Sequence, residues 1–357
     1  MKDASYNVTT ADYRDHRPLA LSGMNLWENN GWMVWARVEG EEFLGWFSPY
    51  RLVGRQVGSL YSVDDVSLSQ TLVLKGTFEG ERRRRMEDDP YLCVGFDLGD
   101  HLPGEALQVA IEDGGSVWRT GKRKFTATPP RWKIEGMHAG VDVDLTLDAM
   151  APAFWFTDRS RTVEEIEERW HLVCARARGT VNIGGRTHAI DGFACHERHV
   201  HCGTRYNPIQ TLSARGVTWH SAGVDNAQVL LFSRPSLGIF WGKVVIDGVV
   251  HEFDSPSHQC EIAETDFWVD PASRVQIPCA WESRFEGPSG SLSVSARAFS
   301  RAYYLWPNYQ HGCTILYWWI GEADIRCRLK DGREFSWDKV QYIVHDNRVL
   351  YRQHRGD

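Results

Sequence analysis

Short segments rich in Val, Ile, Phe, Tyr and Trp recur about every 8 to 15 residues along this chain, each ended by Gly, Asp, Asn or Pro. No long segment carries a helical period. That punctuation predicts an all-β protein built from hairpins, with first-half strands near 32–38, 42–48, 70–76, 91–97, 107–111, 116–120, 131–136 and 141–147. Thr162 and Glu165 form a capping-box pair, and Val163, Ile166 and Trp170 follow at helical spacing, so one short helix or turn is expected within 162–169. The strand pattern restarts at 172–181, turns at Asn182-Ile183-Gly184-Gly185, and continues to the C-terminus, with hairpin signals at Asp247-Gly248 and Asp331-Gly332. The expected organisation is two consecutive β domains, 1–175 and 176–357, the second opening with the segment richest in chemistry.

That segment is 195–202, Cys-His-Glu-Arg-His-Val-His-Cys, with three histidines, a glutamate and two cysteines. On a β-strand, side chains alternate between faces. Cys195, Glu197, His199 and His201 then point one way, and His196, Arg198 and Cys202 the other. Clustered titratable groups are expected where protons move. A nucleophilic Cys195-His196 pair is excluded because strand neighbours face apart. The other histidines, His138, His188, His220, His251 and His311, read as hydrogen-bonded structural residues.

Composition narrows the partners. A net charge of -7 makes no overall electrostatic claim on nucleic acid. The eight cysteines are scattered, without a CxxC pair, as expected of reduced thiols in a cytoplasmic protein. The first 18 residues are polar and resemble neither a signal nor a transit peptide. No apolar run approaches the roughly 18 residues of a membrane span, so membrane insertion is not expected. The run 82–85 is four arginines flanked by acids and reads as a solvated hairpin tip. Sixteen Trp, with 12 Tyr and 15 Phe, suit an aromatic-lined cavity for a hydrophobic small molecule. No sequence feature reports the oligomeric state.

Thr180-Val181-Asn182-Ile183-Gly184-Gly185, followed by Ile190-Asp191-Gly192-Phe193-Ala194-Cys195-His196, resembles the entry to the second domain in the hydroxyneurosporene synthase (carotenoid 1,2-hydratase) superfamily. The family pattern is Gly-Thr-Val-x-Val-x-Gly, a short strand, then Gly-Tyr-x-Asp-His-Asn-Trp-Gly. Segments 140–147, 242–253 and 317–332 resemble further family strands in order, so the resemblance spans most of the chain. It implies two lipocalin-like β units and acid-initiated chemistry on terpenoid or polyketide-like molecules, without an obligate cofactor. By position, the family's Asp falls on Cys195, its His on His196, its Asn on Glu197 and its Trp on Arg198.

The functional expectation is an acid/base enzyme, a hydratase, dehydratase, cyclase or isomerase. His196 and Glu197 would form its acid/base pair, and His199 would be an orienting or second acid group. Protonating an alkene, epoxide or enone needs a carboxylic acid or imidazolium aimed into a dry pocket, with aromatic faces to stabilise the cation. Trp219, Trp241, Trp281, Glu282, Tyr303 and Trp318 are the expected substrate-binding residues. Two alternatives stand beside this. A lipocalin-like pocket can carry a lipid or isoprenoid without reacting. Glu197, His199 and His201, a Glu-x-His-x-His series on one strand face, suit Zn or non-haem Fe.

Overall fold

A computed structural model describes residues 7–54, 63–76, 93–97, 102–203, 217–235, 238–253, 260–308 and 312–349. The expected hairpin tip at 82–85 and His311 lie outside the described residues. The chain divides into two compact units: among the described residues the first holds 7–54, 63–75, 93–97, 102–203 and 307–308, and the second holds 76, 217–235, 238–253, 260–306 and 312–349. Each described sheet is antiparallel throughout, which is the all-β, two-unit lipocalin-like fold expected from sequence.

In the first unit the sheet runs β4 (Cys93–Asp97), β3 (Val63–Gly76), β2 (Glu41–Gly54), β1 (Asn25–Val38), β13 (Arg186–Gly203), β12 (Glu168–Ile183), β10 (Val141–Ala149), β9 (Arg131–His138), β8 (Arg123–Thr128), β7 (Gly115–Thr120) and β6 (Leu107–Glu112). β5 (Leu102–Pro103), directly ahead of β6 in sequence, pairs with β3, which draws the two ends of the sheet together, and the short β11 (Phe154–Trp155) pairs with β12. Alternating positions of these strands fill one interior with Trp32, Val34, Trp118, Trp132, Ile134, Leu145, Leu147 and Val173. Burial of each large apolar side chain contributes roughly 1.5–3 kcal/mol. Tyr13 closes that interior, its carbonyl accepting hydrogen bonds from Ser116 Oγ (2.7 Å) and Trp118 Nε1 (2.9 Å).

The hairpin β12–β13 sets the register of the chemistry-rich segment. Ile183 pairs with Arg186 across Gly184 and Gly185, whose φ values of 59° and 85° are those of a tight turn that only Gly enters without strain. From there the register runs unbroken to Glu168↔His201. A slip of one residue would exchange the faces of every side chain in the segment. The boundary expected at 175/176 therefore falls inside β12, within a hairpin that belongs wholly to the first unit. The Cys/His-rich strand is shared with β1 of the first unit and does not open the second.

The expected short helix is α2 (Val163–Ile166), with its Thr162–Glu165 capping box formed. It ends sooner than 169 because Glu167 takes a left-handed φ of 59°. Trp170 thus becomes a strand residue. The N-terminal segment adds α1 (Arg17–Leu21).

The second unit orders its strands β17 (Val249–Glu252), β16 (Ile239–Ile246), β15 (Ala227–Arg234), β14 (Thr218–Val224), β22 (Glu334–Val349), β21 (Gly312–Leu329), β20 (Gly290–Asn308), β19 (Gln276–Gly287) and β18 (Cys260–Val269). Ser289 N donates to Glu252 O (3.0 Å) and Glu252 N donates to Ser289 Oγ (2.9 Å), so the β17 edge meets the β19–β20 turn and the sheet curls round a second core. No described helix is long and apolar enough to cross a membrane.

Candidate active site

β13 lies between β12 and β1, so each of its side chains has a neighbour on both sides in a fixed row. Trp170, His199, Asn29 and Tyr50 are paired in succession across β12, β13, β1 and β2. The next row is Leu172, Glu197 and Gly31, and the preceding one is Glu168, His201, Trp27 and Leu52. Side chains of these rows share one face of the sheet.

On that face His199 is held from four sides. Its Nε2 lies 2.8 Å from Glu168 Oε1, its ring stacks on Trp170 at 4.7 Å and 13°, and it meets Trp27 edge-on at 4.6 Å. Asn29 Oδ1 accepts its backbone N–H at 2.9 Å. Glu197 sits beside it, Oε2 accepting from Asn29 Nδ2 (2.9 Å) and Oε1 from Trp170 Nε1 (3.2 Å). Burial raises the Glu197 pKa above the ordinary carboxylate value, outweighing the nearby His199 and both hydrogen bonds, which lower it. Tyr50, tilted against Trp27 at 5.9 Å, is likewise pushed up, first by burial and then by the Glu197 charge. This arrangement can keep a proton on a carboxyl at higher pH than usual, next to an imidazole oriented by a second carboxylate. Those are the two parts of acid/base catalysis.

His196 lies on the opposite face. It is fully buried, stacks on Trp32 at 4.3 Å, and places Nδ1 2.7 Å from Gly31 O. Burial lowers its pKa to about 3, so the ring is neutral and cannot act as an imidazolium acid near neutral pH. The expected pairing of His196 with Glu197 is thus corrected: a sheet stands between them, and Glu197 shares its face with His199. Arg198, on the face of His196, joins a buried charge network. It donates to Glu28 Oε2 (2.8 Å) and to Asn29 O (2.7 Å), while His16 Nδ1 approaches Glu28 Oε2 at 3.0 Å and Arg51 Nη1 lies 3.4 Å from Glu28 Oε1.

The metal alternative also meets specific geometry. The Nε2 of His199 is engaged by Glu168, both Glu197 oxygens accept from Asn29 and Trp170, and among the described residues no three His, Cys, Asp or Glu side chains are disposed to hold a metal ion. Cys174, Cys195, Cys202, Cys260, Cys279 and Cys327 are free thiols.

The residues expected to bind substrate lie in the second unit, and they do not share one face of its sheet. Trp281 enters the second core and Tyr303 packs against it, 5.5 Å from Tyr317. Trp219 and Trp241 meet edge-to-face at 5.8 Å, and Trp318 stacks on His345 at 3.8 Å, outside that core set. Glu282 is solvent-exposed and accepts from Ser295 Oγ at 2.6 Å. Within the first unit, the aromatic residues beside Glu197 and His199 are Trp27, Tyr50 and Trp170. Sequence reading missed them along with Asn29 and Glu168. Two signals were present: the polar Glu28-Asn29-Asn30 run inside an apolar strand, and the Glu168-x-Trp170 alternation.

No family model matches this sequence, and no curated protein does. Among solved structures, a protein of Nitrosomonas europaea assigned as an AttH is similar at 10% identity, over 95% of this chain and 96% of that one, with a TM-score of 0.53. CghA, solved with Sch210972, is similar at 11% identity, over 92% and 90%, with a TM-score of 0.54. Kievitone hydratase from Nectria haematococca, at 11% identity over 91% and 88%, has a TM-score of 0.47. The first two likenesses are likenesses of fold, and at that level they agree with the resemblance to the hydroxyneurosporene synthase superfamily.

Proposed function

We propose that this protein is a cofactor-independent acid/base enzyme acting on an apolar, terpenoid- or polyketide-like small molecule, with Glu197 as the acid and His199 as its partner. The observation that supports this most is Glu197, partly exposed yet raised in pKa, in contact with the Trp170 that stacks on a Glu168-held His199. Glu197 would donate its proton to an alkene, epoxide or enone. Trp27 and Trp170 would face the developing positive charge. With Nε2–H directed at Glu168, His199 carries its lone pair on Nδ1 and would take a proton from water, giving hydration, or from carbon, giving cyclisation, elimination or isomerisation. A similar fold solved with a small molecule, CghA with Sch210972, is consistent with a ligand-binding protein of this class.

The test is a panel of terpenoid and polyketide alkenes and enones incubated in D2O, read by mass spectrometry for uptake of water or deuterium. The native protein should convert at least one member. Glu197→Gln should retain binding and lose conversion by about 10²- to 10⁴-fold. Binding without conversion by the native protein would make it a carrier instead.

A further inference from the structure

Two cysteines stand directly opposite one another in the first unit: Cys174 on β12 is paired with Cys195 on β13 in the unbroken register of that hairpin. In an antiparallel ladder the N–H and C=O of one residue point to the same side, and hydrogen-bonded rows alternate with rows that lack such bonds. Cys174 O accepts from Met150 N at 2.8 Å, away from β13. At the other end of the hairpin Cys202 N donates to Glu167 O at 3.0 Å, and Cys195 lies an odd number of positions from that bonded row. Both observations put Cys174 and Cys195 in a row without backbone bonds, where Cα atoms are about 4.5 Å apart and side chains approach most closely. A disulfide spans Cα separations of roughly 4.4–6.8 Å, so the two sulfurs are within bonding reach on the existing backbone.

The pair has a setting of its own. Both side chains point to the face that carries Glu197, away from the apolar interior formed by Val173, Ala175 and Ala194. Met33 on β1 and Trp46 on β2 continue their row, and Glu197 heads the adjoining one. Cys174 is sealed at 1% exposure, whereas Cys195 keeps 7%. Burial raises the pKa of both thiols, and the charges of Cys174 and Glu197 push Cys195 up further. Each thiol is therefore protonated and slow to react near neutral pH. Other described free thiols face carbon across the register, Cys202 opposite Leu26, Cys260 opposite Phe285 and Cys327 opposite Phe335.

We propose that Cys174 and Cys195 are a redox-sensitive dithiol that a peroxide closes into a cross-strand disulfide, tying β12 to β13 one row from Glu197. Cys195, the more open of the two, attacks one oxygen of hydrogen peroxide; the O–O bond breaks, leaving a sulfenic acid on Cys195 and releasing one water. Cys174 Sγ then attacks Cys195 Sγ, the S–O bond breaks, and the hydroxyl leaves with the Cys174 proton as a second water. The two thiols lose two electrons, and the peroxide gains them. The product carries no charge and no polar hydrogen, so it fits a site that disfavours thiolate. This inference concerns the two sulfurs alone and does not depend on the activity proposed for Glu197.

The test treats the full-length protein with hydrogen peroxide at mildly alkaline pH, alkylates the remaining thiols and maps the peptides by mass spectrometry. Peptides carrying Cys174 and Cys195 should be recovered linked, at least about tenfold above the untreated yield, and dithiothreitol should part them. Cys174→Ala should leave Cys195 to advance to sulfinic acid, and Cys195→Ala should leave the sealed Cys174 a thiol. Glu197→Gln should leave the link intact. Separate alkylation of both cysteines after oxidation, or links from either one to a different cysteine, would overturn the proposal. Phenylarsine oxide gives a second reading on the native protein, because a trivalent arsenical bridges two adjacent thiols with release of water. One equivalent should protect Cys174 and Cys195 together from alkylation under denaturing conditions, and protection of other thiols in their place would count equally against the pair.

Discussion

Glu168 and His199 lie on adjacent strands one row apart, and their contact at 2.8 Å crosses the sheet diagonally between Nε2 and Oε1. The contact fixes which imidazole nitrogen holds the proton, and hence which one faces a substrate. Glu168→Gln should therefore lower kcat about 10- to 100-fold with little change in KM, and Glu168→Asp should recover part of the loss, as steady-state kinetics on any converted substrate will show.

The raised pKa of Glu197 carries a sign. Its protonated form is the competent acid, so activity should decline as pH rises through that value. Trp170→Phe keeps a ring against His199 and removes the indole N–H that favours the carboxylate. The Glu197 titration should move to higher pH. A ¹³C-carboxyl NMR titration of Glu-labelled protein reads this without a substrate, and a shift to lower pH would contradict the environment described for Glu197.

Glu28 is the opposite case. Burial alone would raise its pKa, but Arg198, the His16 hydrogen bond and Arg51 together hold it at about 2. A carboxylate with a lowered native pKa contributes stability that is complete above the unfolded value near 4.5 and is lost as pH falls towards about 2. That gap corresponds to an order of 3 kcal/mol. Glu28→Gln should flatten the acid limb of a stability-against-pH curve. Arg198→Met, which leaves a buried carboxylate short of a partner, should cost about 3–5 kcal/mol near neutral pH in urea unfolding.

His196→Phe separates the two faces of β13. Phenylalanine keeps the stack on Trp32 but loses the bond to Gly31 O. Stability should fall by about 1–2 kcal/mol in denaturant unfolding, and conversion should stay within a few-fold of native. A loss of turnover as large as that expected of Glu197→Gln would restore His196 to the reaction.

Much of the site was legible in local pattern. Strict alternation placed Glu197, His199 and His201 on one face and His196 and Arg198 on the other. The glycine pair at 184 and 185 marked the turn that fixes their register. The pairing of His196 with Glu197 came from the resemblance to the hydratase superfamily, and the same alternation places the two on opposite faces.

The sequence by itself determined the hairpin architecture, the capped turn at Thr162 and the two-faced character of β13, because turn chemistry and period-two patterning act over a few residues. Only the tertiary structure decided that this strand belongs to the first unit, that Asn29 and Glu168 hold Glu197 and His199, and that the tryptophans beside them are Trp27 and Trp170. Antiparallel pairing brings β1 against β13 from about 170 positions away in the chain. The energy of that pairing is spread over many cross-strand contacts, and no short segment of sequence carries it.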